Sequence, residues 1–182
     1  GSVTVGGVTC NPTGAGFNHI RVTCLLPAGT GVNKDVVVTS AGRSATKSNA
    51  FSYDLPSVAS VSPTTGTTAG GPHITIAGAS FGATGATATV GGTNCPVVTQ
   101  THSQVVCALP AGTGTKTVQV LGVGSPTFTY DGPVVSTVTP SSGSTAGSIS
   151  ITVAGTSFDT TNTVTVGGVN CPVTARTQVQ II

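Results

Sequence analysis

The sequence predicts an all-β protein made of tandem antiparallel β-sandwiches. Three observations support this prediction: a repeated motif, a composition that favours strands, and short alternating segments separated by turn residues. Glu, Met and Trp are absent, and only 5% of the residues are charged, against roughly 25% in a typical domain. The abundant Val, Thr and Ile fit pleated, half-buried surfaces, so no long helix is expected.

The repeat is most visible in a Gly-Gly pair that is followed by a cysteine and occurs three times. Its copies read VGGVTC at residues 5–10, VGGTNC at 90–95 and VGGVNC at 166–171. Pro133 follows Pro56 by 77 residues, as Phe158 follows Phe81. A period of about 80 residues is typical of an array of small domains.

The repeat landmarks set the predicted domain boundaries. Residues 1–54 match the C-terminal part of a repeat, residues 55–131 a complete repeat, and residues 132–182 the N-terminal part of a further repeat. A partial repeat has too few strands to bury a sandwich core. We therefore expect the chain to be a window on a longer array.

Each strand candidate is a short run in which apolar and polar residues alternate. The middle repeat contains HITIAG, TATVGG, QVVCAL, TVQVLG and TFTYD, with Gly, Pro or Asn between them. Evenly spaced short strands of this kind predict an antiparallel sandwich. The Gly-Gly pair suits a two-residue hairpin turn, because that turn needs positive φ angles that glycine adopts without steric cost.

The spacing of the cysteines predicts disulfides within each repeat. Cys10 precedes Cys24 by 14 residues and Cys95 precedes Cys107 by 12, so we expect the bonds Cys10–Cys24 and Cys95–Cys107. Cys171 is predicted to pair with a cysteine just beyond Ile182, where the repeat would place one, and a free buried thiol is the alternative. Disulfides indicate an oxidising compartment, so we expect an extracellular or cell-surface protein.

These motifs resemble the IPT/TIG family, the immunoglobulin-like repeats of plexins, transcription factors and many surface proteins. The resemblance spans the chain and rests on G-G-x-x-I-T-I-x-G-x-x-F, V-G-G-x-x-C, V-x-C-x-x-P-x-G-x-G and a closing F-x-Y. The departures are Ser148, which replaces a glycine in the last copy, and Asn11-Pro12, which shifts the loop after Cys10. The resemblance implies a seven-stranded immunoglobulin-like sandwich, an extracellular or binding role, and no catalytic residues.

Four features of the sequence suggest chemistry, and we predict that none is a catalytic, cofactor or metal site. Residues 78–82 match the nucleophile-elbow pattern G-x-S-x-G, which requires a strand-to-helix turn. Residues 112–117 resemble a phosphate-binding loop, but a threonine replaces the glycine required before the lysine. His19, His73 and His102 occupy unlike positions, and Asp159 with Asn162 would supply two of the roughly six to eight oxygen ligands that calcium takes.

Charge and hydropathy exclude two classes of partner. The six Lys and Arg residues are scattered and the net charge is +2, so we expect no nucleic-acid binding. No apolar run reaches the roughly 18 residues of a membrane-spanning helix.

Serine and threonine beside proline suggest O-linked glycans. The candidate positions in the sequence are Thr64, Thr65, Thr127, Ser141 and Ser142. Ordinary turn chemistry explains the same residues equally well.

The favoured functional interpretation is a noncatalytic structural segment of a long extracellular fibre or surface filament, such as a flagellar hair, stalk or wall glycoprotein. Its partners would be neighbouring repeats or copies of itself, because few charges oppose close packing. An alternative is the ectodomain of a receptor or adhesin that binds protein or carbohydrate. A third interpretation is an accessory region of a secreted carbohydrate-active enzyme.

Overall fold

The computed structural model describes residues 1–17, 19–159, 161 and 163–182, with the side chains of residues 14–17 left undescribed. Every regular element in these residues is a β-strand, and no helix occurs among them. The predicted all-β class and the immunoglobulin-like repeats are therefore confirmed.

The first repeat forms one five-stranded sheet. Its strands follow the order β3-β2-β1-β4-β5, and the neighbours are antiparallel. The strands are β1 (Ser2–Val5), β2 (Val8–Phe17), β3 (Val22–Leu25), β4 (Lys34–Ser40) and β5 (Arg43–Phe51).

The middle repeat is a complete sandwich of two sheets. One sheet has the order β10-β9-β13-β14-β7 and the other β11-β12-β8-β6. The strands are β6 (Ser57–Ser62), β7 (Thr65–Gly66), β8 (His73–Ala79), β9 (Ala88–Val90), β10 (Thr93–Cys95), β11 (Val97–Gln100), β12 (Gln104–Ala108), β13 (Thr115–Val120) and β14 (Thr127–Tyr130). Nine segments replace the seven strands implied by the resemblance, and Pro63 and Pro96 lie at two of the breaks, where no backbone N–H is available.

The third repeat forms two small sheets. β15, β16 and β19 make one of them, and β17 with β18 makes the other. The strands are β15 (Val134–Thr139), β16 (Thr152–Thr156), β17 (Val164–Val166), β18 (Val169–Cys171) and β19 (Gln180–Ile181).

The Gly-Gly pair forms the same hairpin turn in all three repeats. In the middle copy Gly91 and Gly92 have φ angles of 59° and 81°, and Val90 pairs with Thr93 across the turn. The other copies have closely similar angles. The Gly91 N–H also donates to the Thr117 carbonyl oxygen at 2.8 Å, which ties the turn to β13. The turn predicted from sequence is therefore present, and it is anchored to its sheet.

The core of the middle repeat consists mostly of small aliphatic side chains. Phe81 and Phe128 are the largest fully buried side chains, and Tyr130 closes one end. The rings of Phe128 and Tyr130 meet edge to face, with centroids 5.1 Å apart. Because so few aromatic groups fill the core, each covalent or hydrogen-bonded tie between the sheets matters more.

A disulfide joins the two sheets where the chain passes from one to the other. Cys95 ends β10 in the first sheet, and Cys107 lies in β12 of the second. Both cysteines are fully buried. Cys10 and Cys24 form the corresponding bond in the first repeat. The structure thus contains both bonds that the spacing predicted, whereas the pairing of Cys171 beyond Ile182 stays a prediction.

A tyrosine fixes the loop after β12 in the middle repeat. The Tyr130 hydroxyl donates to the Pro110 carbonyl oxygen at 2.7 Å, and a Cβ on Gly112 would lie 2.6 Å from the tyrosine ring. Tyr53 makes the same bond to Pro27 in the first repeat. The tyrosine of the closing F-x-Y motif therefore anchors the loop after β12, and Gly112 leaves room for the Tyr130 ring.

We predict that replacing both Cys95 and Cys107 by alanine lowers the unfolding free energy of the middle repeat by about 3 kcal/mol, because the unfolded chain gains the freedom of an open loop. Denaturant-dependent hydrogen exchange of the Val118 amide measures this repeat by itself. Cys171→Ala is the matched control, since it removes a cysteine that forms no disulfide among the described residues. Equal exchange in both variants would contradict the prediction.

We predict that Tyr130→Phe destabilises the middle repeat by about 1 kcal/mol through the lost hydrogen bond. Burial raises the pKa of the Tyr130 hydroxyl above its ordinary value of 10.0. The folded state then holds its proton more tightly than the unfolded state. The contribution of the protonated Tyr130 hydroxyl to the free energy of unfolding is therefore complete below pH 10.0, and it is lost as the pH rises through the raised pKa. Urea denaturation at neutral and alkaline pH should show a smaller alkaline loss in Tyr130→Phe than in the wild type.

Candidate functional site

The nucleophile-like motif is a structural turn. Ser80 has a φ of 60°, and the turn places the following Phe81 in the core, where its exposed fraction is 1%. A Cβ on Gly78 would overlap the Ser57 carbonyl oxygen and the Phe81 ring. The third repeat has the same arrangement at Gly155, Ser157 and Phe158. The glycine and serine therefore allow a phenylalanine to pack, and no helix follows them in the described residues.

The phosphate-like loop packs against Tyr130, whose hydroxyl bonds to Pro110. Gly112 lies beneath the Tyr130 ring, and β13 begins at Thr115. The aliphatic part of Lys116 covers the Gly-Gly turn, because a Cβ on Gly91 would lie 2.7 Å from its Cδ. The Lys116 stem therefore packs against the hairpin turn, and the chain after the loop continues as β13.

The described residues contain no group of three His, Cys, Asp or Glu side chains that could hold a metal ion. Asp159 Oδ1 accepts bonds from the Thr161 N–H at 2.7 Å and the Thr161 hydroxyl at 2.9 Å. Asn162, the other residue of the calcium alternative, lies outside the described residues. Asp159 therefore stabilises its own loop through these bonds.

The five candidate glycan positions are all exposed. Thr64 immediately precedes β7, Thr65 begins β7, Thr127 begins β14, and Ser141 and Ser142 follow β15. Exposure gives a glycosyltransferase access to each hydroxyl, so the geometry is compatible with modification.

One outer sheet face of the middle repeat is uncharged and rich in hydroxyl groups. Thr129 lies between Thr65 and Thr115 in neighbouring strands, and the hydroxyls of Thr115 and Thr129 are 3.0 Å apart. Gln119, Thr89 and Asn94 form another row across three strands. This face offers many hydrogen-bonding groups and no charge.

The turn between β13 and β14 presents apolar side chains to solvent. Leu121 and Val123 are 37% and 38% exposed, and Leu121 has a φ of 53°, which is unusual for a bulky residue. The turn is held in place, since the Leu121 N–H donates to the Thr87 carbonyl oxygen at 2.9 Å. Sequence reasoning missed this surface. Its signal was the Leu-Gly pair between two alternating runs, which predicts a tight turn with an apolar residue at its tip.

Loops of consecutive repeats meet at two joints. Between the first and middle repeats, a Cβ on Gly82 would lie 2.7 Å from Thr30 Cγ2. Between the middle and third repeats, the Thr68 hydroxyl donates to Gln178 Oε1 at 3.2 Å. The linkers are short: the Asp131 N–H still bonds to Gly66, and β15 begins at Val134.

Among the described residues, no helix is long and apolar enough to cross a membrane.

Known proteins share the repeat. A family model for the IPT/TIG domain matches residues 56–131 and 133–182. Human fibrocystin-L is 31% identical over 97% of this chain, and the chain spans 4% of its length. Plexin A3 of Danio rerio is 30% identical over 86% of this chain, which spans 9% of that protein. A solved structure of the plexin A4 full extracellular region aligns with 99% of this chain and 17% of that chain, at 18% identity and a TM-score of 0.44. On the family match, this chain belongs to the IPT/TIG domain family.

Proposed function

We propose that this chain is a noncatalytic segment of the extracellular region of a cell-surface receptor or adhesin. The observation that carries the proposal is the similarity to plexin A3 and fibrocystin-L, which extends over most of the chain and across more than one repeat. Since the chain spans less than a tenth of either relative, its proposed role is that of one part of a much larger protein.

The disulfides support an extracellular location. Cys95 and Cys107 are both fully buried in the middle repeat, so their bond belongs to the folded core. Bonds of this kind form and persist in oxidising compartments and are rare in the cytosol. The first repeat contains the corresponding bond, between Cys10 and Cys24.

The turn at Leu121 is the proposed contact surface for a protein partner. Its backbone is fixed by the bond to Thr87, so little ordering is needed on binding. Leu121 and Val123 place two exposed apolar side chains close together on this turn. Loops held on a rigid sandwich are a common position for recognition residues.

We expect a membrane-impermeant amine reagent to modify this protein on intact cells. Lys47 is exposed on β5 and is a suitable target. Peptide mass spectrometry should show the modified Lys47 peptide without permeabilisation, while a cytosolic protein in the same sample remains unmodified. Modification of Lys47 only after permeabilisation would refute the extracellular location.

A filament remains the second candidate, and the short linkers favour it. Three residues, 54–56, lie between Tyr53, whose N–H bonds to Gly31, and β6. Such linkers restrict bending between repeats. Electron microscopy of native material separates the two functions, since a filament protein would lie within an ordered polymer and an ectodomain would project as separate beads. The accessory-region interpretation stays a prediction, which a catalytic domain in the same reading frame would support.

We also propose that the exposed hydroxyls carry O-linked glycans, and we expect added hexose or hexosamine mass on peptides of the native protein. The peptide covering residues 56–72 contains Thr64 and Thr65, and Ser141, Ser142 and Thr127 lie in separate regions. Mass spectrometry before and after chemical deglycosylation measures the shift. Unmodified masses for all of these peptides would end the proposal and leave ordinary turn chemistry as their role.

A further inference from the structure

We propose that consecutive repeats interact through a specific docking surface, in which the loop of residues 27–31 of the first repeat rests on the loop of residues 81–86 of the middle repeat. Gly82 and Thr30 are its positioning residues. The contact fixes the orientation of the two repeats, and the proposal holds whether the array belongs to a receptor or a filament.

The loop of the first repeat is held from two sides. The Tyr53 hydroxyl donates to the Pro27 carbonyl oxygen at 2.7 Å, and the Tyr53 N–H donates to the Gly31 carbonyl oxygen at 3.1 Å. Thr30 lies between these two anchored residues. Its methyl group is therefore presented from a loop with little freedom to retreat.

The loop of the middle repeat is held by one glutamine. Gln100 Nε2 donates to the carbonyl oxygens of Phe81 at 2.9 Å and Gly82 at 3.0 Å. Gln100 Oε1 accepts a bond from the Ala86 N–H at 2.9 Å. Since Gln100 belongs to β11, the loop is attached to the rigid sandwich at both of its ends.

The contact between the loops depends on the absence of a side chain. Gly82 is buried, with a φ of 80°. A Cβ at this position would lie 2.7 Å from Thr30 Cγ2, closer than two carbon atoms can pack. Any larger residue at position 82 must therefore displace the Thr30 methyl group from its present position. Gly85 provides a comparison within the same loop, because its φ is 81° and a Cβ there would meet nothing within 4 Å.

The joint that follows is built differently. Asp159 occupies the position that corresponds to Gly82, so the same close approach is not available there. The Thr68 hydroxyl instead donates to Gln178 Oε1, and Thr68 is 5% exposed. The Thr68 carbonyl oxygen accepts a bond from the Gly112 N–H at 3.0 Å, which ties this contact to the equivalent loop of the middle repeat. Both joints thus use the same end of a repeat, with contacts of different kinds.

The test compares Gly82→Asn with Gly85→Asn in the whole chain. Asparagine tolerates positive φ, so both variants carry a similar backbone cost and differ in the contact with Thr30. Residual dipolar couplings should fit a single alignment tensor for the first and middle repeats in the wild type and in Gly85→Asn. Gly82→Asn should require two tensors, and adding Thr30→Ala should restore one tensor.

If Gly82→Asn fails to fold, a second measurement on the wild type tests the same contact. A nuclear Overhauser effect between the Thr30 methyl and the Gly82 Hα protons is expected in the wild type. Its absence, a wild type that requires two tensors, or equal changes in Gly82→Asn and Gly85→Asn would each overturn the proposal.

Discussion

The middle repeat depends on the covalent tie between its two sheets. Cys95 and Cys107 join the sheets next to Pro96, where the chain leaves one sheet and enters the other. The core around them is mostly valine, isoleucine and alanine, and it contains only three aromatic side chains. A small core supplies little hydrophobic stabilisation for a domain of this size. The disulfide, the Tyr130–Pro110 hydrogen bond and the anchored glycine turn compensate for this weak core. Each ties together two segments that the core alone holds weakly.

Because the chain has few charged residues, its exposed strand edges need protection other than charge against pairing with further strands. Many proteins protect exposed strand edges with lysine, but β-bulges serve the same purpose. Both edge strands of the four-stranded sheet have a register shift, at Val58/Ser60 in β6 and at Val97/Thr99 in β11. β15 has an equivalent shift. Irregular edges therefore offer protection that does not rely on electrostatic repulsion, which is consistent with a chain of 5% charged residues.

The elements that repeat in the sequence were the ones that could be predicted. The glycine turn, the alternating strands and the cysteine pairs depend on local geometry and recur at a fixed period, so one copy explains another. The sites between repeats could not be predicted, because Thr30 and Gly82 are brought together only by the placement of whole domains. Leu121 was missed for a different reason: its side chain looks like a core residue until the turn directs it outwards. The pairing of Cys171 stays a prediction, since this cysteine forms no disulfide among the described residues.

The difference between Gly82 and Asp159 has a consequence for the evolution of the array. If every joint were alike, copying or losing a repeat would lengthen or shorten the molecule while preserving its course. Here each junction has its own chemistry, so the trajectory of the polypeptide is encoded position by position. Under the proposed docking, a repeat copied within such an array would redirect everything beyond the new unit, and a substitution at Gly82 would do the same without changing the number of repeats.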